Sequence, residues 1–430
     1  MTIKSNIKAV HGRRIWDSRG NPTVEADITL EDGTVGRGIA PVGASRGKME
    51  ATDLRDGDHR LGGLNVSQAL KNVNGLIAAA LTGMDASNQQ AIDDKLLELD
   101  PSPTKEILGG NATIAVSLAA LHAAAASHHQ PLWHYIAGDG AVSLPLPEIQ
   151  IFGGGAHADR RVDIQDFMVM PLSAPTFGQA LEMTAEVYRT AGELMSETGK
   201  RAGLADEGGW WPNFDSNEQA LETLVRAIER AGFTPGDQVA ISLDVAASEL
   251  GTDGIYKLGL EGKTLDTDGL IELLGRWIET YPIVSIEDPL AEDDHDGMKR
   301  FTLAYGERIQ IIGDDFLATN ARKISEAALN GICNAALIKF NQAGTISETL
   351  DAVRAAKKVG WGTIVSARSG ETEDVTVAHL AVGWNTPQLK VGSFARSERM
   401  AKWNELLRIA EQLDEPVRYV GRDALTTDKD

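Results

Sequence analysis

Six charged side chains recur along the second half of the chain at intervals of 22 to 43 residues, each ending or closely following a short apolar run. They are Asp244 (SLD), Glu287 (IVSIED), Asp314 (IQIIGDD), Lys339 (NAALIK), Arg368 (TIVSARS) and Lys390 (PQLK). A lysine that closes a buried strand points into the mouth where α/β enzymes place their chemistry. Three carboxylates converging on such a mouth repel one another, so a divalent ion accounts for them most economically. A salt-bridge network with Lys339 and Lys390 is the alternative. Oxygen donors without His or Cys nearby favour Mg²⁺, or Mn²⁺ in its place, over Zn²⁺. A lysine beside a metal ion and another cation loses preference for its charged form and can serve as a base. One placed further out binds a substrate anion, and spacing alone does not say which of Lys339 and Lys390 does which.

Three further stretches carry candidate chemistry. GLADEGGWWPN (203–213) puts Asp206 and Glu207 in a Gly-flanked loop, where shielding by Trp210 or Trp211 would hold a carboxyl protonated as an acid. An acidic surface turn is the plainer reading of that loop. FGGGAHADRRVDIQDF (152–167) holds one histidine, His157, among glycines that suit a mobile lid, ahead of a strand with Gln165 and Asp166. Its triple glycine is weak evidence for phosphate binding, since no helix-opening lysine motif follows. ARSGETED (367–374) offers Arg368 and Ser369, a fork and a hydroxyl suited to a phosphate, or else a helix cap.

The elements that must position these residues follow from the pattern. One strand and one helix fit each interval, so residues beyond about 150 read as successive β/α units of a TIM-type barrel. Before them, TVEADITL, EDGT and VGRGIAP read as a hairpin bent at Asp-Gly, and residues from about 65 to 137 turn helical. Strands followed by helices describe an α+β domain over 1–143, with LPLPEIQ (144–150) as an extended linker into a barrel over 144–420 and a polar tail over 421–430. The net charge of −21 argues against nucleic acid or an anionic membrane surface as partner. The single cysteine, Cys333, excludes an intrachain disulfide and suits a reducing cytoplasm, and no run has signal-peptide or membrane-span length.

Over almost its whole length the chain resembles the enolase family. The resemblance rests on DSRGNPTVEADI (17–28), GAS (43–45), DLRDGD (53–58), DEGG (206–209), SIEDPLAEDD (285–294), GDD…TN (313–320), KFNQAGT (339–345), SGETED (369–374) and ARSERMAKWNELLRI (395–409). It implies a barrel that opens with two strands and two helices, two Mg²⁺ ions, and reversible dehydration of 2-phosphoglycerate, a small phosphorylated anion, to phosphoenolpyruvate. Asp244, Glu287 and Asp314 match the ligands of the first ion, and Ser45 the loop residue reaching the second. Lys339 matches the base at C2, and Glu207 the acid at the leaving hydroxyl. Lys390 matches the partner of the substrate carboxylate, Arg368 and Ser369 the phosphate clamp, and His157 and Gln165 the lid histidine and its neighbour. Glu25 and Arg408 occupy the places of a pair that joins the family's dimers, implying a homodimer.

The departures cluster at one end. Ala367 replaces a histidine in SHRSGETED, Asp166 replaces a glutamate that supports the acid, and Arg46 and Lys48 stand where the lid loop carries uncharged residues. The metal and proton-abstraction end is intact. Besides ordinary enolase activity, two readings stay open. One is a paralogue acting on a related phosphorus-containing acid, as carboxyphosphonoenolpyruvate synthases do. The other is a non-catalytic binding protein.

Overall fold

Gly33 turns the chain with φ +90° between two paired strands, a conformation that costs glycine nothing. The computed structural model describes residues 5–44, 46–413 and 418–425. In it β1 (Ile7–Trp16), β2 (Pro22–Leu30) and β3 (Val35–Ile39) form an antiparallel meander. Helix α1 (Gly110–Ser127) lies on it, nearly all of its residues buried. Its alanines permit unusually close contact: a Cβ added at Gly36 would stand 2.1 Å from the Ala123 backbone nitrogen. Small side chains on the helix and glycine on the strand are therefore two halves of one packing solution.

Eight strands then close a barrel. β4 (Leu146–Gly153) pairs antiparallel with β5 (Asp166–Met170), which pairs antiparallel with β6 (Ala240–Asp244). β7 (Ile283–Glu287), β8 (Gln310–Gly313), β9 (Ala335–Ile338), β10 (Gly362–Ser366) and β11 (Gln388–Ser393) continue in parallel, and β11 returns to β4. Helices α2 (Phe177–Glu197) and α3 (Asn217–Arg230) follow the first two strands before the regular alternation begins. Strands buried on both faces are mostly apolar, so most of the charges stand near their ends, with Glu148 and Lys390 inside β4 and β11 as exceptions.

LPLPEIQ is no linker: Leu146–Gly153 is the first barrel strand, buried along its whole length, with Pro147 opposite Leu389. Its prolines mimic a linker, but an extended backbone suits a strand equally. The segment from 421, read as a polar tail, packs as far as Leu425. Gly421–Ala424 form a short helical turn, and Ala424 and Leu425 join Leu146, Met170 and Ala240 at the end of the barrel opposite the charges. Residues 426–430 lie outside the described residues.

The two domains meet at helix α4 (Ile346–Lys358). Its first turn is capped from the N-terminal domain: Asp93 accepts from Ser347 N and Oγ at 2.8 and 2.7 Å, and Lys105 pairs with Glu348 at 2.7 Å. α4 follows β9 and Lys339 after one short helical turn, Phe340–Ala343, so the N-terminal domain braces the element after the central lysine. Among the described residues no helix is long and apolar enough to cross a membrane.

Candidate active site

β5 runs against its neighbours, so its first residue reaches the rim where the other strands end. Register places Asp166 opposite Asp244, and Asp244 opposite Glu287, giving three acids on one rung. Asp314 and Lys339 follow directly on β8 and β9. Lys390 lies inside β11, which runs on to Ser393, rather than ending it. From there its ammonium reaches Asp244 at 2.9 Å, Glu287 at 2.8 Å and Asp166 at 3.6 Å.

Burial opposes the Lys390 charge, but Asp244 and Glu287 outweigh it and raise its pKa. Burial, and then the Asp244 carboxylate, push Glu287 up. Lys339 donates to Asp314 Oδ2, and Gln342 donates to Asp314 Oδ1 at 2.8 Å. Burial disfavours the Lys339 ammonium, yet Asp314 holds its pKa above the ordinary value. The pairing with Asp314 thus runs against the lowered lysine pKa read from sequence.

On the other side of the mouth, the Nδ1–H of His157 donates to Asp166 at 2.8 Å, and its Nε2 lies 3.7 Å from Glu207. Burial disfavours the imidazolium, but Asp166 and Glu207 raise its pKa to about 9. Burial pushes Asp166 up, but His157 and then Lys390 hold it below the ordinary carboxylate range, and Gln150 donates to its Oδ1. Gln165 donates to Asp244 at 3.0 Å. Trp210 does not shield Glu207: it stacks on Tyr188 at 4.8 Å, and neither Trp210 nor Trp211 lines the cavity. His157 and the Gly392–Ser393 backbone cover Glu207 instead.

His157, Gln165, Asp166, Glu207, Asp244, Lys339, Ala367, Arg368, Ser369 and Lys390 all line one narrow cavity of about 20 Å³, room for little more than a water molecule. The ion pairs fill their own mouth. Ser45 lies outside the described residues. A wider space of about 630 Å³ beside Trp133 and Gln412 holds none of these groups.

Several supporting residues carried no signal in the sequence. Glu50, buried in the N-terminal domain, accepts from Arg368 at 2.9 and 3.2 Å. Arg399 and Lys402 are fully buried on α5 (Ser397–Gln412). Arg399 donates to the carbonyls of Arg368, Ser369 and Val391, and Lys402 pairs with Glu371 at 3.1 Å. Together they fix the 368–372 loop by its backbone. A buried cation on an amphipathic helix looks like a surface cation in sequence.

The geometry has a counterpart in known proteins. Residues 141–428 match the family described as "Enolase, C-terminal TIM barrel domain", and residues 7–136 match "Enolase, N-terminal domain". The chain is 50% identical over 416 residues to Enolase 1 of Desulfitobacterium hafniense (strain Y51), covering 96% of this chain and 95% of that one. The chain belongs to the enolase family.

Enolase-family membership implies Mg²⁺, and the donor set fits it. Glu287 Oε1 is a buried carboxylate oxygen with no hydrogen-bond partner among the described residues, beside the carboxylates of Asp244 and Asp314. A second acidic group, Asp288, Asp314 and Asp315, brings oxygens within 4.8 Å of one another. Both oxygens of Asp288 are already committed to the backbone N–H groups of Asp314 and Asp315, at 2.9 and 2.8 Å. Asp288 therefore shapes the loop that presents Asp314. Of the enolase departures, Ala367 and Asp166 line the cavity and Arg46 and Lys48 do not. Ala367 lines the cavity wall, while Arg46 turns away to Asp53 at 3.5 Å and Lys48 to Glu292 at 3.5 Å.

Proposed function

We propose that this protein is a Mg²⁺-dependent hydro-lyase of the phosphopyruvate hydratase type. Its reaction is the reversible dehydration of 2-phospho-D-glycerate to phosphoenolpyruvate. The observation that carries the reading is a single cavity lined by a candidate base, Lys339, a candidate acid, Glu207, and the cations Lys390 and Arg368. Lys339 takes the C2 proton, and Glu207 gives a proton to the departing C3 hydroxyl. His157 and Asp166 hold Glu207 in place from the side, and His157 supplies positive charge next to it. Lys390 receives the substrate carboxylate, assisted by Gln165, while Arg368 and Ser369 receive the phosphate.

Asp244, Glu287 and Asp314 would hold one Mg²⁺, and Ser45 would reach a second. Bound there, the ions supply Lewis-acid stabilisation of the charge that grows on the substrate carboxylate, the scheme general to the enolase superfamily. Ala367 in the cavity wall favours one second reading, a related phosphorus-containing acid as substrate. An assay with 2-phosphoglycerate and Mg²⁺ decides between them. Phosphoenolpyruvate formation supports the first reading. Mg²⁺ binding with neither dehydration nor exchange of the C2 hydrogen supports the second. The reading extends to a cytoplasmic homodimer, supported by Cys333 as sole cysteine and by Glu25 and Arg408. Within one chain Arg13 donates to Glu25, and Arg408 pairs with Glu405 at 2.7 Å. Sedimentation as a monomer at micromolar concentration would refute the dimer.

A further inference from the structure

One buried carboxylate of the N-terminal domain touches both anion-binding and cation-binding parts of the barrel. Glu50 Oε2 accepts from Arg368 Nη1 at 2.9 Å, and its Oε1 accepts from Arg368 Nη2 at 3.2 Å. Oε1 also accepts from Gln342 Nε2 at 3.2 Å and from the Gly47 backbone at 3.1 Å. Gln342 in turn donates to Asp314 at 2.8 Å and accepts from Thr319 at 2.5 Å. Its backbone carbonyl accepts from Ala51 N at 2.8 Å. The Glu50 and Arg368 side chains are 4% and 3% exposed, so solvent does not screen this pair. A two-point contact fixes the plane of a guanidinium as well as its position. Asn341 adds a third restraint on Nη1 at 3.1 Å.

We infer that Glu50 is a positioning residue, which sets the orientation of Arg368 for an incoming phosphate and, through Gln342, steadies Asp314. This rests on the reading of Arg368 as the phosphate clamp. It makes the barrel's anion site incomplete without the N-terminal domain, although the domain itself need not touch the phosphate through this residue. An arginine left to choose its own rotamer must be ordered by the ligand, and that ordering weakens binding.

The test uses the full-length protein, Glu50→Gln and Gln342→Met. Inorganic phosphate binding in the presence of Mg²⁺ is measured by calorimetry, alongside the KM for 2-phosphoglycerate. Glu50→Gln removes the charge and one acceptor while keeping the shape. Phosphate affinity should fall about tenfold, the low end for loss of a supporting partner, with KM rising in parallel and kcat changing less. Gln342→Met should weaken phosphate by about threefold, the scale of one hydrogen bond, and serves if Glu50→Gln does not fold. A purely structural Glu50 would lower the melting temperature and leave phosphate affinity unchanged; that result overturns the inference. Unaltered protein that binds no phosphate overturns the clamp reading itself, and the two failures are thereby distinct.

Discussion

At the end of the site that holds Asp244, Glu287 and Asp314, carboxylates meet the ammonium groups of Lys390 and Lys339 directly, with Glu287 and Asp314 behind the cavity lining. At the end formed by Asp166 and Glu207, the charges meet through His157, and the wall beside them is the methyl group of Ala367. The first end keeps every residue type that the enolase resemblance calls for. The second has exchanged a histidine for alanine and shortened a glutamate to Asp166. On the proposed roles, proton removal at C2 and hydroxyl departure at C3 would rest on different side chains, with Lys390, 3.6 Å from Asp166, joining the two ends.

The comparison breaks most visibly at Lys339. Lys339→Ala should lower both C2 hydrogen exchange and phosphoenolpyruvate formation by about 10²–10⁴-fold, the range for a positioned proton-transfer group. Glu207→Gln should lower phosphoenolpyruvate formation alone, leaving exchange into deuterated water. Equal loss of both reactions in Glu207→Gln would mean that the two ends do not act separately.

Asp314→Asn tests the cation end by metal binding rather than turnover, because Asp314 also pairs with the base Lys339. It removes a formal charge from the ligand set, so calorimetry should show Mg²⁺ affinity falling by at least the roughly 10–100-fold that even outer-shell partners cost. Unaltered affinity would transfer the ion to the group of Asp288 and Asp315.

The third prediction repairs the altered end. With the base intact and the acid weakly supported, the protein should exchange the C2 hydrogen of 2-phosphoglycerate faster than it forms phosphoenolpyruvate. Ala367→His with Asp166→Glu should raise phosphoenolpyruvate formation by about tenfold, modest because the graft lacks its surrounding shell. If the unaltered protein already turns over at about 10 s⁻¹ or more, the substitutions are neutral and the contrast between the ends carries no chemistry.

How far these ends could be read from sequence depends on whether a signal was local. Asp244, Glu287 and Lys339 were legible because a buried parallel strand is an apolar run, and a charge at its end is conspicuous. Asp166 was harder, since its place on the rim depends on β5 running antiparallel, which no residue in IQDF announces. Glu50 and Arg368 are 318 positions apart, and the match between them exists only after the domains dock. Trp210 illustrates the opposite error: adjacency to Glu207 in sequence suggested shielding, but a side chain two or three positions away on a turn faces elsewhere.

The smallest expected effect is a pH limb belonging to the altered end. The folded pKa of His157, about 9, lies above the ordinary histidine value near 6.5. The stabilisation from its pairing with Asp166 and Glu207 is therefore complete below about pH 6.5. It is lost as pH rises through about 9, by at most about 1.4 kcal/mol per pH unit. If the imidazolium supports Glu207, phosphoenolpyruvate formation should be halved near pH 9, where half the molecules have lost that charge, while Lys339 still has its partner Asp314. Exchange at C2 should fall less over the same interval, since its base lies at the other end. His157→Gln should abolish the limb in the dehydration profile and leave the exchange profile unchanged. A limb that persists in His157→Gln, or one that appears equally in exchange, would assign the titration to a group shared by both ends.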